Sequence, residues 1–344
     1  MQAEIGKEMS TAMVKIKDVA NEAGVSIASV SRVLTGNRQV SAGTRTAVLA
    51  AAAKLGYRTN YLASALRSQS TQTVGMVIPR IANPYFIALV QIVEESAQAQ
   101  GFELFLCDSA DDTETERRRV RALLSRQVDG IVIIPCDETA SAAVVREVLE
   151  EVPVVAVDRE IRGVPMDQIA IDNQAGILAV MDHLRHTERR RLGFIGARQT
   201  TSTARERLEA YRQHAAEPGF DRSSAARVLL GDFTVEWGEA AVDDLLANGP
   251  LPDGIVCGND LIAAGVIRRL RSRGIVVPRD IAVTGFDDIE LCRFVEPAIT
   301  TVHQPLREIG AEGARKLFAR IAGEGGFPTR TRIIPELVLR ASSR

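Results

Sequence analysis

The sequence predicts a small all-α helix-turn-helix domain followed by an α/β domain made of two doubly wound parallel-sheet subdomains. Three observations carry that prediction. Residues 16–35, IKDVANEAGVSIASVSRVLT, hold two short amphipathic helical patterns that meet at a Gly-Val-Ser turn. From Val74 onward, apolar strand-like runs alternate with helical patterns to the end of the chain. Continuous β-branched runs of this kind are strands buried on both faces, hence parallel sheets covered by helices. The charge is also uneven. Between Val14 and Ser70 eight basic residues stand against two acidic ones, although the whole chain carries −2. A basic head on an acidic body is the electrostatic form of a DNA-binding module attached to something else.

Taken in order, residues 1–13 are polar and read as a disordered extension, and residues 14–60 read as the helix-turn-helix domain. Ile16, Val19, Ala20 and Ala23 recur at helical spacing and form one apolar face. Gly24 stops that helix, and the Ser26 hydroxyl can cap the next. Val30, Val33 and Leu34 make the inner face of the second helix, which leaves Ile27, Ala28, Ser29, Ser31 and Arg32 pointing outward. A short helix with small residues and one basic edge suits a DNA major groove. Residues 42–55 form a third helix opened by Ser41 and closed by Gly56, with Tyr57 packing back on the bundle. Residues 60–67 are helix-prone but span only about two turns, too few to be stable alone in water. They should order only against a partner, and residues 61–73 read as hinge helix and linker.

The α/β part has strand candidates at 73–79, 102–107, 130–135, 152–158, 191–197, 227–231, 254–260 and 281–287. Helical patterns follow at 84–100, 112–127, 139–150, 174–187, 205–215, 236–247, 260–274 and 305–323. Eight units exceed one comfortable sheet. They divide near 160–172, where a passage containing Gly and Pro replaces the helix expected after the fourth strand. The expected subdomains are residues 74–171 with 304–331, and residues 172–303 with 332–344, facing each other across a cleft. In open α/β sheets ligands sit beyond the carboxyl ends of the strands. Asn83, Tyr85 and Phe86, Asp158 and Arg159, Arg205, Phe233, Asn259, Asp287 and Gln304 all lie at or near such ends. Side chains that exchange planar hydrogen bonds, with aromatic rings beside them, match a sugar, whose hydroxyls donate and accept while its C–H faces stack.

Other classes fit less well. With 46% apolar and 25% charged residues, the chain is globular rather than disordered or fibrous. Cys107, Cys136, Cys257 and Cys292 form no CxxC pair, so free thiols in a reducing compartment are expected, with no metal and no cofactor. His183 and His186 lie three apart without further ligands and are expected at the surface. No signal peptide and no run of membrane-spanning length is seen, so the protein is expected in the cytoplasm on nucleoid DNA. An enzyme would need a phosphate loop, a GxSxG elbow or an HExxH, and none occurs. A transport solute-binding protein would need a leader and no basic head. An architectural DNA binder would not need the polar cleft.

From about Val14 onward the chain resembles the lactose-repressor family of bacterial transcription regulators. The resemblance rests on IKDVANEAGVSIASVSRVLTG, VSAGTR, LGY, TVGMVIPRIANPYF, GFDD, TTVHQP and the closing PELVLRAS. It implies a recognition helix over residues 27–35, with Ile27 and Ala28 at the main base-reading positions. Ile16, Ser26, Ser29, Ser31, Arg32, Thr35, Ser41, Thr44, Tyr57 and Asn60 would lie around them, on bases and phosphates. Leu66 would wedge into the minor groove at the operator centre, and such a wedge kinks DNA. Thr59 stands where many members carry proline. The effector half is similar to the periplasmic ribose-binding proteins. That likeness implies that the cleft residues named above hold a small sugar, ribose first, with a purine or sugar phosphate as the alternative. A homodimer bound to palindromic double-stranded operator DNA and released by the sugar follows from the same resemblance. A co-repressor of opposite sign is its alternative.

Overall fold

In the computed structural model the chain is described at residues 14–34, 40–57 and 70–344. Of the positions anticipated above, residues 1–13, Thr35, Asn60, Leu66 and most of the hinge lie outside the described residues. The chain falls into two compact units that part between Thr71 and Gln72.

The first unit contains α1 (Ile16–Ala23), α2 (Ile27–Leu34) and α3 (Ala42–Leu55). Gly24 and Gly56 end α1 and α3 in left-handed backbone with φ of 65° and 64°, which a residue without a Cβ adopts at little cost. Val19, Ala20, Val30, Val33, Val48, Ala51 and Ala52 are buried at the centre of the three helices. Small β-branched and alanine side chains let helices this short approach closely, and that packing rather than propensity holds them helical.

The second unit carries a six-stranded parallel sheet in the order β11-β5-β4-β3-β1-β2. Its strands are β1 (Thr73–Ile78), β2 (Glu103–Asp108), β3 (Gly130–Ile133), β4 (Val154–Val157), β5 (Asp167–Ile171) and β11 (Arg330–Ile333). A four-stranded parallel sheet, β7-β6-β8-β9, contains β6 (Leu192–Ala197), β7 (Val228–Gly231), β8 (Gly254–Cys257) and β9 (Ala282–Thr284). An antiparallel pair, β10 (Thr301–His303) with β12 (Glu336–Val338), completes the strands among the described residues. The helices are α4 (Pro84–Ala99), α5 (Thr113–Ser125), α6 (Ser141–Leu149), α7 (Asn173–His186), α8 (Ser202–Ala215), α9 (Val235–Ala247), α10 (Asp260–Ser272) and α11 (Leu306–Ile321). None of the helices among the described residues is long and apolar enough to cross a membrane.

Three expectations differ from this architecture. The passage 160–172 contains β5, a fully buried strand of the first sheet. Its leading residue, Asp167, is charged, which masks the strand in the sequence. The carboxylate accepts from Arg320 Nε at 2.8 Å and from the Thr329 backbone N–H at 2.9 Å. The third crossing is expected between residues 331 and 332, but Arg332 and Ile333 still pair with Ala170 and Ile171 in β5. Alternating arginines on an edge strand gave no apolar signal there. His183 is half-buried rather than superficial, with Nε2 2.8 Å from Ser343 Oγ. Cys136, Cys257 and Cys292 are buried, and all four thiols are free.

Candidate functional site

In the first unit the turn between α1 and α2 fixes what α2 presents. The Ser26 hydroxyl accepts the Ser29 backbone N–H at 3.1 Å and lies 2.9 Å from the Ser29 hydroxyl. Both serines expected at a DNA surface are thus engaged in starting the helix. Val30 and Val33 point inward. Ile27 is 45% exposed, an apolar side chain at the first turn that no packing explains, and Ala28 and Arg32 are exposed beside it. Ser31 is half-buried. Ser41 caps α3, accepting the Thr44 N–H at 3.3 Å. Ile16 and Tyr57 are half-buried and pack on the three-helix core.

The second unit brings the expected cleft residues together. Asn83, Tyr85, Phe86, Asp158, Arg159, Phe233, Asn259 and Asp287 line one cavity, joined by Thr203 and Arg207, which the sequence reading missed. Asn83 caps α4 through the Tyr85 N–H at 3.1 Å, and Asn259 caps α10 through the Ile262 N–H at 3.0 Å. Asp158 and Asp287 sit at the ends of β4 and β9 with φ of 66° and 118°. Left-handed backbone at a non-glycine residue costs ~1–3 kcal/mol and persists where its surroundings over-determine it, typically at functional sites. Here the Asp158 N–H is held by Ile169 O at 2.8 Å and the Asp287 N–H by Val302 O at 2.9 Å.

The polar groups form a chain across the cavity. The Tyr85 hydroxyl donates to Asp158 Oδ1 at 2.6 Å and lies 2.8 Å from Gln304 Oε1. Gln304 Nε2 donates to Asp287 Oδ1 at 2.7 Å. Arg207 Nε donates to Asn173 Oδ1 and its Nη1 to Gly258 O, both at 2.8 Å, and Nη1 lies 3.4 Å from Asp287 Oδ1. Its guanidinium stacks 3.7 Å above the Phe286 ring. Arg159 donates through Nη1 to Pro135 O at 3.1 Å. Its buried Nε has no hydrogen-bond partner among the described residues. Burial raises the Asp158 carboxyl, opposed by Arg159. Burial raises Asp287 further, opposed by Arg207 and reinforced by Asp260 and Asp158. Tyr85 is pushed well up by burial and then by Asp158. The remaining cavity is about 20 Å³, room for about one or two water molecules, so the two halves are closed on each other. A roomier groove of about 500 Å³ between α4 and α11 is lined largely by alanines and lacks such convergent buried charges.

Arg205 does not belong to this set. Its Nε donates to Glu138 at 3.0 and 3.1 Å, and its Nη1 to Glu209 at 2.9 Å. The reason is helix phase. On α8, Ala204, Arg207, Leu208 and Tyr211 are buried at three- and four-residue spacing, so Arg207 faces inward. A residue two positions earlier is rotated about 200° away. That periodicity was present in the sequence and would have named Arg207.

A family model described as bacterial regulatory proteins, lacI family, matches residues 15–60, and one described as a periplasmic binding protein-like domain matches residues 181–343. The chain is 32% identical over 333 residues to the HTH-type transcriptional repressor PurR of Mannheimia succiniciproducens, covering 96% of this chain and 98% of that protein. Among solved structures, a complex of the transcriptional regulator CelR with cellobiose is 32% identical with a TM-score of 0.73, covering 96% of this chain and 99% of that one. The lac repressor dimer bound to operator and the anti-inducer ONPF is 26% identical with a TM-score of 0.85, at the same coverages.

Proposed function

The chain belongs to the lacI family of bacterial regulatory proteins, and from that premise we propose that its cleft takes a neutral monosaccharide, with a pentose such as ribose first. Membership makes the protein a DNA-binding transcriptional repressor with a periplasmic-binding-protein-like effector domain, and not an enzyme. One observation carries the sugar reading: two buried carboxylates, Asp158 and Asp287, share one small cavity with two buried guanidinium groups, Arg159 and Arg207. A sugar hydroxyl donates to a carboxylate and accepts from a guanidinium at once, so each hydroxyl can satisfy one of each. A phosphate would set its anionic oxygens among Asp158 and Asp287. Phe86 and Phe233 supply faces for ring C–H groups.

The repressor works as a homodimer on a palindromic operator in the cytoplasm, with α2 of each subunit in a major groove. Ile27, Ala28 and Arg32 read bases, and sugar releases it. The similarity to relatives named PurR favours a second reading, a purine effector that tightens operator binding instead. Thermal shift with D-ribose, other pentoses, hexoses, ribose 5-phosphate, hypoxanthine and guanine separates the two. A ligand at a hundred times its Kd should stabilise by about 2.7 kcal/mol. A shift with a purine and none with any sugar overturns the sugar reading. Operator affinity that rises with sugar overturns release.

A further inference from the structure

Three consecutive residues on the first turns of α8 do three different things. Arg207 faces the cavity, Glu206 is gripped by Arg332 of β11, and Arg205 reaches Glu138. The last pair joins the two halves of the effector unit. Glu138 follows β3 of the six-stranded half, and α8 belongs to the four-stranded half. Arg205 Nε meets both carboxylate oxygens, at 3.0 and 3.1 Å. The Glu138 backbone N–H also crosses the cleft to Thr200 O at 2.8 Å. Glu138 keeps 9% of its side chain exposed and Arg205 21%, so the pair is well shielded from solvent screening. Arg332 Nη2 lies 2.8 Å from Glu206 Oε1, and its Nη1 donates to Glu206 Oε2 at 2.9 Å. The Glu160 N–H donates to Ser202 Oγ at 2.8 Å.

We infer that Glu138 and Arg205 are positioning residues for effector binding: an ion-pair latch that holds α8, and with it Arg207, against the six-stranded half without touching the effector. The inference rests on reading the cleft as the effector site, and it accounts for an arginine that neighbours the cavity yet does not line it. Glu138 also pairs with Arg162, whose Nε lies 3.2 Å from its carboxylate. Arg205 also pairs with Glu209. Each latch residue is therefore anchored within its own half, so their mutual pair acts between bodies rather than between loose side chains.

Hydrogen exchange on the full chain tests the latch without any ligand, because the Glu138 amide is protected only while it reaches Thr200 O. In Arg205→Met, Glu138→Gln and the double variant, exchange in residues 136–140 should rise roughly five- to ten-fold, with the β3 amides unchanged. The double variant should be no faster than either single one, since a pair acting as a unit is lost once. Arg205→Lys, which keeps the charge, should recover most of the protection. In calorimetry with D-ribose the same three variants should bind roughly five- to ten-fold more weakly, again without addition. Unchanged protection at Glu138 in Arg205→Met, or effects that add in the double variant, overturns the latch. A wild-type protein that ignores D-ribose counts against the sugar reading, and the exchange experiment still decides the latch.

Discussion

Replacing Arg207 separates the cavity arginine from its neighbour on the latch. Its guanidinium makes two 2.8 Å hydrogen bonds to Asn173 and Gly258, lies 3.4 Å from Asp287 and covers the Phe286 ring. Arg207→Met keeps the length of the side chain and removes the charge and the donors. Breaking a buried ion pair by taking away one partner typically destabilises by ~3–5 kcal/mol, because the other charge stays buried. Asp287, already raised by burial, then loses the group that most opposes that rise. A charge-assisted hydrogen bond to ligand is worth ~1.5–3 kcal/mol, so D-ribose affinity should fall roughly 10- to 150-fold. Arg207→Lys keeps a cation beside Asp287 but loses the fork. It should recover most of the stability and little of the affinity. Urea midpoints read the first quantity and calorimetry the second. If Arg207→Lys binds D-ribose like the wild type, or if Arg205→Met loses more affinity than Arg207→Met, the reassignment of the cavity arginine is wrong.

Two further outcomes follow. Asp260 is fully buried, accepts from Thr301 Oγ1 and the Ile289 N–H, and has its pKa raised by burial to about 6. The folded state then holds this proton more tightly than the unfolded chain. Its stabilising effect is complete below an unfolded pKa of about 3.9 and is lost as pH rises through the folded value. A shift of that size corresponds to roughly 3 kcal/mol, so urea unfolding at pH 4.5 and 7 should show a decline that is smaller in Asp260→Asn, where Asp158 and Asp287 still titrate; equal declines in both proteins would refute it. On a site selected by this protein from random DNA, Arg32→Ala should cost ~1–3 kcal/mol and relax the preferred sequence. Equal losses on selected and random DNA, read by fluorescence anisotropy, would assign Arg32 to phosphate alone.

Where one periodicity governed a segment, the sequence was readable. The α1–α2 turn is written in Gly24 and Ser26, and the buried parallel strands in runs such as GIVI and VVAV. The two strands that were missed share one cause, charged residues whose partners lie far along the chain. Asp167 opens β5 as a charge because Arg320 and Thr329, more than 150 residues later, neutralise it. Arg332 hides β11 because its partner, Glu206, lies on α8. Arg205 lies nearer the strand end, whereas helix phase turns Arg207 toward the cavity. Local pattern identifies a residue's face, whereas its partner across the fold is set by topology.

The strained carboxylates also indicate how ligand and domain movement are joined. Asp158 and Asp287 lie just beyond β4 and β9, and both adopt left-handed backbone. Their amides are tied to Ile169 O and Val302 O, on segments that lead into the crossings. A ligand that fills both carboxylates therefore acts on the connecting segments themselves as well as on the cavity walls. Its effect on operator binding is limited by its differential affinity for the open and closed arrangements. On the proposed sugar reading, reciprocity requires the operator to change sugar affinity by the same factor, typically ~5–150-fold for a coupling of ~1–3 kcal/mol. With α8 latched through Glu138 and Arg205, part of the closing free energy belongs to the protein rather than to the sugar. Weakening the latch should therefore lower sugar affinity and leave the coupling factor nearly unchanged, whereas altering Asp287 should reduce both.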